Sequence, residues 1–258
     1  MSRVADPFDL TGHVSVVTGG GSGIGLGFAS GLARAGASVA VLGRSAERLE
    51  SAAESLRVHG NAVLPIACDV ADEQAITDAM ARVRQTWGRL DSCFANAAVD
   101  GPFVGLLDTS LEDFRAVTAV NLDGAFLTLR EAARQMIEVG DGGSLVVTSS
   151  IGARQGMPRQ LPYAASKGAV ISLVKSLAVD LARHGIRANA VLPGFIDTEF
   201  IHELLQSEPM QKRVLPRIPA RRWGRGHDFA GLAVYLAGPA SSYQSGDTIV
   251  LDGGYEVF

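Results

Sequence analysis

Seven short apolar, β-branched runs alternate along this chain with longer stretches rich in Ala, Leu, Glu and Arg. The runs are Val14–Thr18, Ser38–Leu42, Ala62–Ala67, Leu90–Ala95, Ser144–Ser149, Arg187–Leu192 and Thr248–Leu251. Most are apolar along their whole length, without the in–out alternation of a half-exposed strand. A strand of that kind must be covered on both faces, as in a parallel sheet. The intervening stretches Ile24–Ala35, Ala46–His59, Glu73–Gly88, Leu111–Val120, Asp123–Val139, Tyr163–His184 and Phe229–Ala237 read as helices. Strands spaced by helices form βαβ units, so the pattern predicts an α/β fold: one doubly wound parallel sheet of about seven strands with helices on both faces. No repeat, low-complexity tract or linker divides the chain, and residues 1–258 read as a single domain.

Composition narrows the function. With 47% hydrophobic residues the chain can bury a large core. A net charge of −4 argues against general binding to nucleic acid or anionic membranes, which needs clustered excess Lys and Arg. Aromatic residues are 6% of the chain and form no basic–aromatic stripe. Two cysteines, Cys68 and Cys93, cannot build a disulfide scaffold. No apolar run approaches the ~18 residues of a membrane span, and charges and Pro7 stand where a signal peptide has its apolar stretch. A cytoplasmic protein is expected. The five histidines are dispersed, and His202-Glu-Leu-Leu-Gln206 lacks the second histidine of a zinc-binding HExxH, so no metal site is expected.

Between the first strand and the first helix stands Thr18-Gly19-Gly20-Gly21-Ser22-Gly23-Ile24-Gly25. At this place in an α/β sheet, helix N-terminal amides face a pyrophosphate and side chains must be absent for it to approach. A GxGxxG template fits no register. A P-loop is excluded, since no Lys-Ser/Thr follows the glycines. At the end of the second strand a carboxylate usually holds a ribose 2′-hydroxyl, whereas an arginine accommodates a 2′-phosphate. Here the residues are Gly43-Arg44-Ser45, which favours NADP, with NAD as the alternative if Arg44 is only a solvated side chain before a helix.

Tyr163-Ala-Ala-Ser-Lys167 opens a helix and places a phenol and an ammonium on one face. A neighbouring cation lowers a phenol's pKa, so Tyr163 is a candidate acid/base for a substrate oxygen. Upstream, the fifth strand ends Thr148-Ser149-Ser150 at the carboxyl edge where such sheets place ligands.

With these motifs the chain resembles the short-chain dehydrogenase/reductase family over essentially its whole length. That family's TGxxxGxG matches Thr18–Gly25, its Tyr-xxx-Lys matches Tyr163 and Lys167, its serine thirteen positions before the tyrosine falls on Ser150, and its helix asparagine matches Asn121. The resemblance implies a Rossmann-type fold and an oxidoreductase acting on a small alcohol or carbonyl compound. It implies Tyr163 as acid/base, Ser150 orienting the carbonyl, Lys167 lowering the tyrosine pKa and holding the nicotinamide ribose, and Asn121 positioning a water. The cofactor contacts it implies are Gly19, Gly21, Ser22, Gly23, Ile24, Gly25, Arg44, Ser45, Asp69, Val70, Asn96, Ala97, Tyr163, Lys167, Pro193, Gly194, Ile196 and Thr198. Asn96-Ala97-Ala98 matches the family's NNAG in part, with Ala95 for the first Asn and Ala98 for the Gly. Asn121 and Asp69 also read as caps of the helices that follow them. A nucleotide-binding scaffold without activity is the non-enzymatic alternative; it would be expected to have lost one of the four catalytic positions.

From residue 194 to 227 the regular pattern lapses around Pro209, Pro216 and Pro219, and a substrate lid is expected there. Phe195, Phe200, Ile201, Leu204, Leu205, Met210, Val214 and Leu215 give it an apolar lining. Lys212, Arg213, Arg217, Arg221, Arg222 and Arg225 stand in a window, 209–225, that has no acid. Solvation and subunit contacts are the favoured reading of that charge, with capture of an anionic substrate as the alternative. The resemblance also implies a homotetramer built on the Asp123–Val139 and Tyr163–His184 helices and the last strand.

Overall fold

The computed structural model describes residues 6–199 and 201–258. Strands β1 (Val14–Thr18), β2 (Ser38–Gly43), β3 (Val63–Ala67), β4 (Ser92–Ala95), β5 (Gly143–Thr148), β6 (Ile186–Pro193) and β9 (Thr248–Leu251) form one sheet in the order β3-β2-β1-β4-β5-β6-β9. Every pairing in it is parallel. The expected seven-stranded architecture is present. The order reverses between β1 and β4, which opens a crevice at their carboxyl ends.

Alternate residues of these strands feed two different cores. Val16, Ala40 and Leu42 pack on one side with Ile76, Met80 and Val83 of α3 (Glu73–Trp87), Leu129 of α5 (Gly124–Val139) and Val170 and Val174 of α6 (Leu161–Asp180). Val17, Val39 and Val41 pack on the other with Phe28 and Leu32 of α1 (Gly23–Arg34), Leu49 and Leu56 of α2 (Ala46–Arg57) and Leu236 of α8 (Ala230–Ala237). Phe28 joins that second core to the sheet, its ring 5.1 Å from Phe94 and edge-on to Phe229 at 5.8 Å. Strands buried on both faces explain why their sequences show no alternation.

Several boundaries depart from the sequence pattern. The fourth strand begins at Ser92; just before it the Asp91 carboxylate accepts the Val14 N–H at 2.8 Å and pairs in bidentate fashion with Arg89. Helix α6 starts two residues early, at Leu161, with Pro162 in its first turn, where proline lacks nothing the helix needs. Helix α4 (Leu111–Thr118) does not end before α5 begins; a π-turn over Ala119–Asp123 joins them. Asn121 therefore sits inside a continuous helical path and caps no helix. Asp69 is not the cap of α3 either, since Asp72 takes that place and accepts from the Gln74 and Ala75 amides.

The stretch from 194 to 227 is more ordered than its sequence suggests. It holds α7 (His202–Gln206), a π-turn over Met210–Val214, a 3-10 turn over Leu215–Arg217, and a parallel pairing of β7 (Ile196–Asp197) with β8 (Gly224–Arg225). Phe200 lies outside the described residues. The basic residues are largely engaged within the chain: Lys212 pairs with Glu208, Arg222 with Asp228, Arg221 donates to the Pro216 carbonyl, and Arg217 lies 4.7 Å above the Tyr255 ring. The window without acids is thus answered by acids just beyond its two ends. No helix among the described residues is long and apolar enough to cross a membrane.

Candidate active site

At the carboxyl edge of β1 the backbone turns through Gly19, φ +64°, into α1. A Cβ on Gly25 would stand 2.1 Å from the Gly19 carbonyl oxygen, so the first turn of α1 can lie on the loop only with glycine there. Ser22 is the residue before the helix, its side chain makes no capping bond, and the first turn carries no acid. The amide end of α1 is left to a ligand.

The neighbouring strand ends are tied together by hydroxyl and amide groups. Thr18 Oγ1 accepts the amides of Asn96 at 2.9 Å and Ala97 at 3.1 Å. Asn96 Nδ2 donates to the Thr18 carbonyl at 3.2 Å, and its Oδ1 accepts from Thr148 Oγ1 at 3.0 Å. The Asn96 side chain thus locks β1, β4 and β5 in register.

A cavity of about 270 Å³ lies over these strand ends. Gly19, Ser22, Gly23 and Ile24 line one end, and Asn96, Ala97, Ser150, Tyr163, Lys167, Pro193, Gly194, Ile196 and Thr198 line the rest. A second cavity of about 210 Å³ continues from Gly19 and Ser22 past Gly21, Gly43, Arg44 and Ser45. Gly25 supports the turn from behind, and Asn121 stands behind the main cavity. Asp69 and Val70 follow β3 beside Gly43 but line neither cavity; Val70 is buried against Gly124.

The two serines after β5 point different ways. Both line the cavity, but Ser149 Oγ donates to the Lys167 carbonyl at 2.7 Å, whereas Ser150 Oγ accepts the Gly152 amide at 3.0 Å. Lys167 is buried, its Nζ donates to the Thr148 carbonyl at 2.8 Å, and it stands 5.6 Å from the centre of the Tyr163 ring. Burial pushes the ammonium down to about 8, and the carboxylate of Asp100 opposes that shift. For Tyr163, burial raises the phenol above its ordinary range, the Asp100 charge adds to the rise, and a hydrogen bond with Ser150 pulls it back. Desolvation and the Asp100 carboxylate are the two influences that raise the phenol. Asn121 clamps the loop after β4, accepting the Val99 amide at 2.8 Å and donating to the Val99 carbonyl at 2.8 Å and to Ser166 Oγ at 3.2 Å.

Two charged residues escaped the sequence reading. Asp100 lines the main cavity, and Arg48 lines the second one beside Arg44 while pairing with Glu199 at 3.1 Å. The signals were weak. Asp100 lies just past β4, at the crevice side of the sheet, and Arg48 follows Arg44 by one helical turn. Among the described residues no group of three His, Cys, Asp or Glu side chains converges as a metal site.

Residues 19–256 match the family described as enoyl-(acyl carrier protein) reductase. The gluconate 5-dehydrogenase of Gluconobacter oxydans (strain 621H) is 36% identical over 98% of each chain. The L-rhamnose 1-dehydrogenase (NAD(P)(+)) of Sphingomonas sp. (strain SKA58) is also 36% identical, over 96% of this chain and 98% of that one. A short-chain type dehydrogenase/reductase from Mycobacterium marinum superposes with a TM-score of 0.93 at 38% identity, covering 99% of this chain and 100% of that one. A gluconate 5-dehydrogenase from Burkholderia cenocepacia J2315, solved in complex with NADP and tartrate, superposes with a TM-score of 0.92 at 35% identity over 98% of each. The fold, the glycine turn opening onto Ser150, Tyr163 and Lys167, and these likenesses along nearly the whole chain lead to one conclusion: this chain belongs to the short-chain dehydrogenase/reductase family and is an NAD(P)-dependent oxidoreductase acting on CH–OH groups.

Proposed function

We propose that this protein is an NADP-dependent oxidoreductase that interconverts an alcohol and a ketone or aldehyde, with Tyr163 moving the proton. The observation that carries the reading is the meeting of Ser150, Tyr163 and Lys167 on one wall of a cavity whose other end is the open amide turn of α1. The residues present fit a dinucleotide: α1 amides that the Ser22 side chain does not cap for the pyrophosphate, and the continuing cavity past Arg44 and Ser45 for the adenosine end. Arg44 and Arg48 supply two guanidinium groups, and among the described residues no carboxylate lines that second cavity, which favours a 2′-phosphate over a bare ribose. Ser45 Oγ accepts the Arg48 amide as the cap of α2 and keeps its own proton to donate.

When bound, the dinucleotide supplies or accepts the hydride. The chain's own groups manage the oxygen. Ser150 donates to it and fixes its direction. Tyr163 gives its phenolic proton to the carbonyl oxygen during reduction and, as the phenolate, takes the alcohol's proton during oxidation. Lys167 would hold the ribose beside the nicotinamide, exchanging its bond to the Thr148 carbonyl for ribose oxygens. The segment 194–227, of which Gly194, Ile196, Thr198 and Ile201 line the cavity, would cover the site. A tetramer through α5 and α6 is supported by an apolar hollow between them, lined by Phe126, Ile137, Leu173 and Leu177.

The test is twofold. Fluorescence titration should show NADPH binding tighter than NADH. A screen of NADPH oxidation against ketones, quinones, sugars and acyl thioesters should find a substrate whose turnover Tyr163→Phe abolishes. Binding of neither nucleotide would overturn the reading, and nucleotide binding without turnover of any class would favour a scaffold.

A further inference from the structure

The loop after β4 brings a carboxylate into the reaction cavity and holds it there from both sides. On one side Val99 is clamped by its two hydrogen bonds to Asn121. On the other, Gly101 turns the chain at φ +75°, and a Cβ there would meet Val117 at 2.5 Å, so the turn tolerates no other residue without displacement. Asp100, between these two fixed points, lines the same cavity as Ser150, Tyr163 and Lys167. Among the described residues its carboxylate makes no hydrogen bond and no ion pair; Lys167 is spent on the Thr148 carbonyl. A half-buried carboxylate without a partner is costly unless a ligand supplies the donor. Its charge is felt by both catalytic neighbours, raising Tyr163 and Lys167, and its own carboxyl is raised by burial.

We infer that Asp100 selects the substrate: it accepts a hydrogen bond from a hydroxyl beside the reacting carbon and repels carboxylates, so the enzyme takes uncharged polyhydroxy compounds in preference to sugar acids. The inference rests on the oxidoreductase reading above for the position of the reacting carbon. Among the described residues the only other charged side chain that lines this cavity is Lys167, whose ammonium donates to the Thr148 carbonyl at the end of β5, and no arginine lines it to receive a substrate carboxylate. A like charge in a partly desolvated site is a strong discriminator, and a buried acceptor left unpaired penalises substrates without the hydroxyl. This would set the chain apart from relatives named for gluconate, whose substrate is an anion.

The experiment compares matched pairs, D-glucitol with D-gluconate and xylitol with D-xylonate, in the NADP-saturated protein, by kcat/KM and by calorimetric Kd. Wild type should favour the uncharged member of each pair by about tenfold or more. Asp100→Asn, which keeps an acceptor and removes the charge, should shrink that preference by about tenfold, chiefly by improving the sugar acid. Asp100→Leu should weaken the uncharged polyol, mostly in KM. Equal handling of the two members by wild type, or a preference untouched in Asp100→Asn, overturns the inference. Turnover of plain ketones with no polyol bound would overturn it while the oxidoreductase reading stands. If no compound turns over, that reading fails, and the ratio of Kd values still decides the role of Asp100. A wild-type preference suffices should a variant not fold.

Discussion

The Lys167 ammonium donates to the Thr148 carbonyl at 2.8 Å, so the lysine of the Tyr-xxx-Lys pair is braced against the end of β5 rather than against its tyrosine. The folded chain gives up this buried proton near pH 8, below the 10.5 of an unperturbed lysine. Between those values the unfolded chain binds more protons, so stability rises with pH. Tyr163 acts in the opposite sense: its raised phenol keeps its proton when the unfolded chain has lost it, so stability falls again above about pH 10. Buried Cys68 and Cys93, whose thiols are also raised, oppose the climb above about pH 9. Urea unfolding without nucleotide should therefore show stability rising only between about pH 8 and 9, by on the order of 1 kcal/mol, then declining. Lys167→Met should remove the climb. A wild-type profile that falls steadily from pH 8 would show that the ammonium is not desolvated.

Tyr163→Phe removes the proton carrier and leaves a ring of nearly the same shape. Turnover should drop by about 10²–10⁴-fold, with NADPH affinity changed by less than ~3-fold. Ser150→Ala should lower kcat as well. It also deletes the acceptor for the Gly152 amide, so a modest fall in thermal midpoint is expected from Ser150→Ala and not from Tyr163→Phe. Retention of full kcat by the phenylalanine variant would exclude Tyr163 as acid/base.

Arg44 and Arg48 face one cavity, but among the described residues only Arg48 has an acidic partner, Glu199, and that pair is mostly exposed and weak. Arg44→Asp should weaken NADPH at least about tenfold more than NADH, because a carboxylate repels the 2′-phosphate and suits a free ribose hydroxyl. Arg48→Ala should give the same direction with a smaller ratio. Equal losses for both nucleotides in Arg44→Asp would remove the arginine from 2′-phosphate recognition.

What could be read before folding was local. Continuous apolar runs announced strands buried twice over, and the glycine turn, Ser150 and the Tyr163–Lys167 spacing announced the site because each is a short pattern tied to one place in a βαβ unit. What escaped depends on distant partners. Nothing near Asp100 says that Asn121 and the Gly101 turn will aim its loop at the cavity. Nothing in Ile196–Asp197 or Gly224–Arg225 shows that two dipeptides so far apart will pair. Asn121 looked like a cap because a helix follows it, and only the π-turn reveals that the helix had not stopped.

The narrowest point of the scaffold is where α1 leaves the glycine turn. In Gly25→Ala the new methyl would fall 2.1 Å from the Gly19 carbonyl oxygen and 2.7 Å from Asn96 Nδ2. Neither neighbour can yield cheaply: the carbonyl is backbone, and the amide is the tie between β1, β4 and β5. The helix must move off the turn, which opens the crevice and misaligns the amides that would meet a pyrophosphate. We expect a loss of about 2–4 kcal/mol in stability and a larger proportional loss in nucleotide affinity than any surface change produces. Gly231→Ala is the control, since Gly231 lies exposed in the first turn of α8 with open space around its Cβ position; it should leave binding unchanged and stabilise the helix by about 0.5–1 kcal/mol. Urea unfolding and NADPH titration of the two variants side by side make the comparison. If Gly25→Ala binds NADPH as wild type does, the amides of this turn are not the pyrophosphate site, whatever its stability.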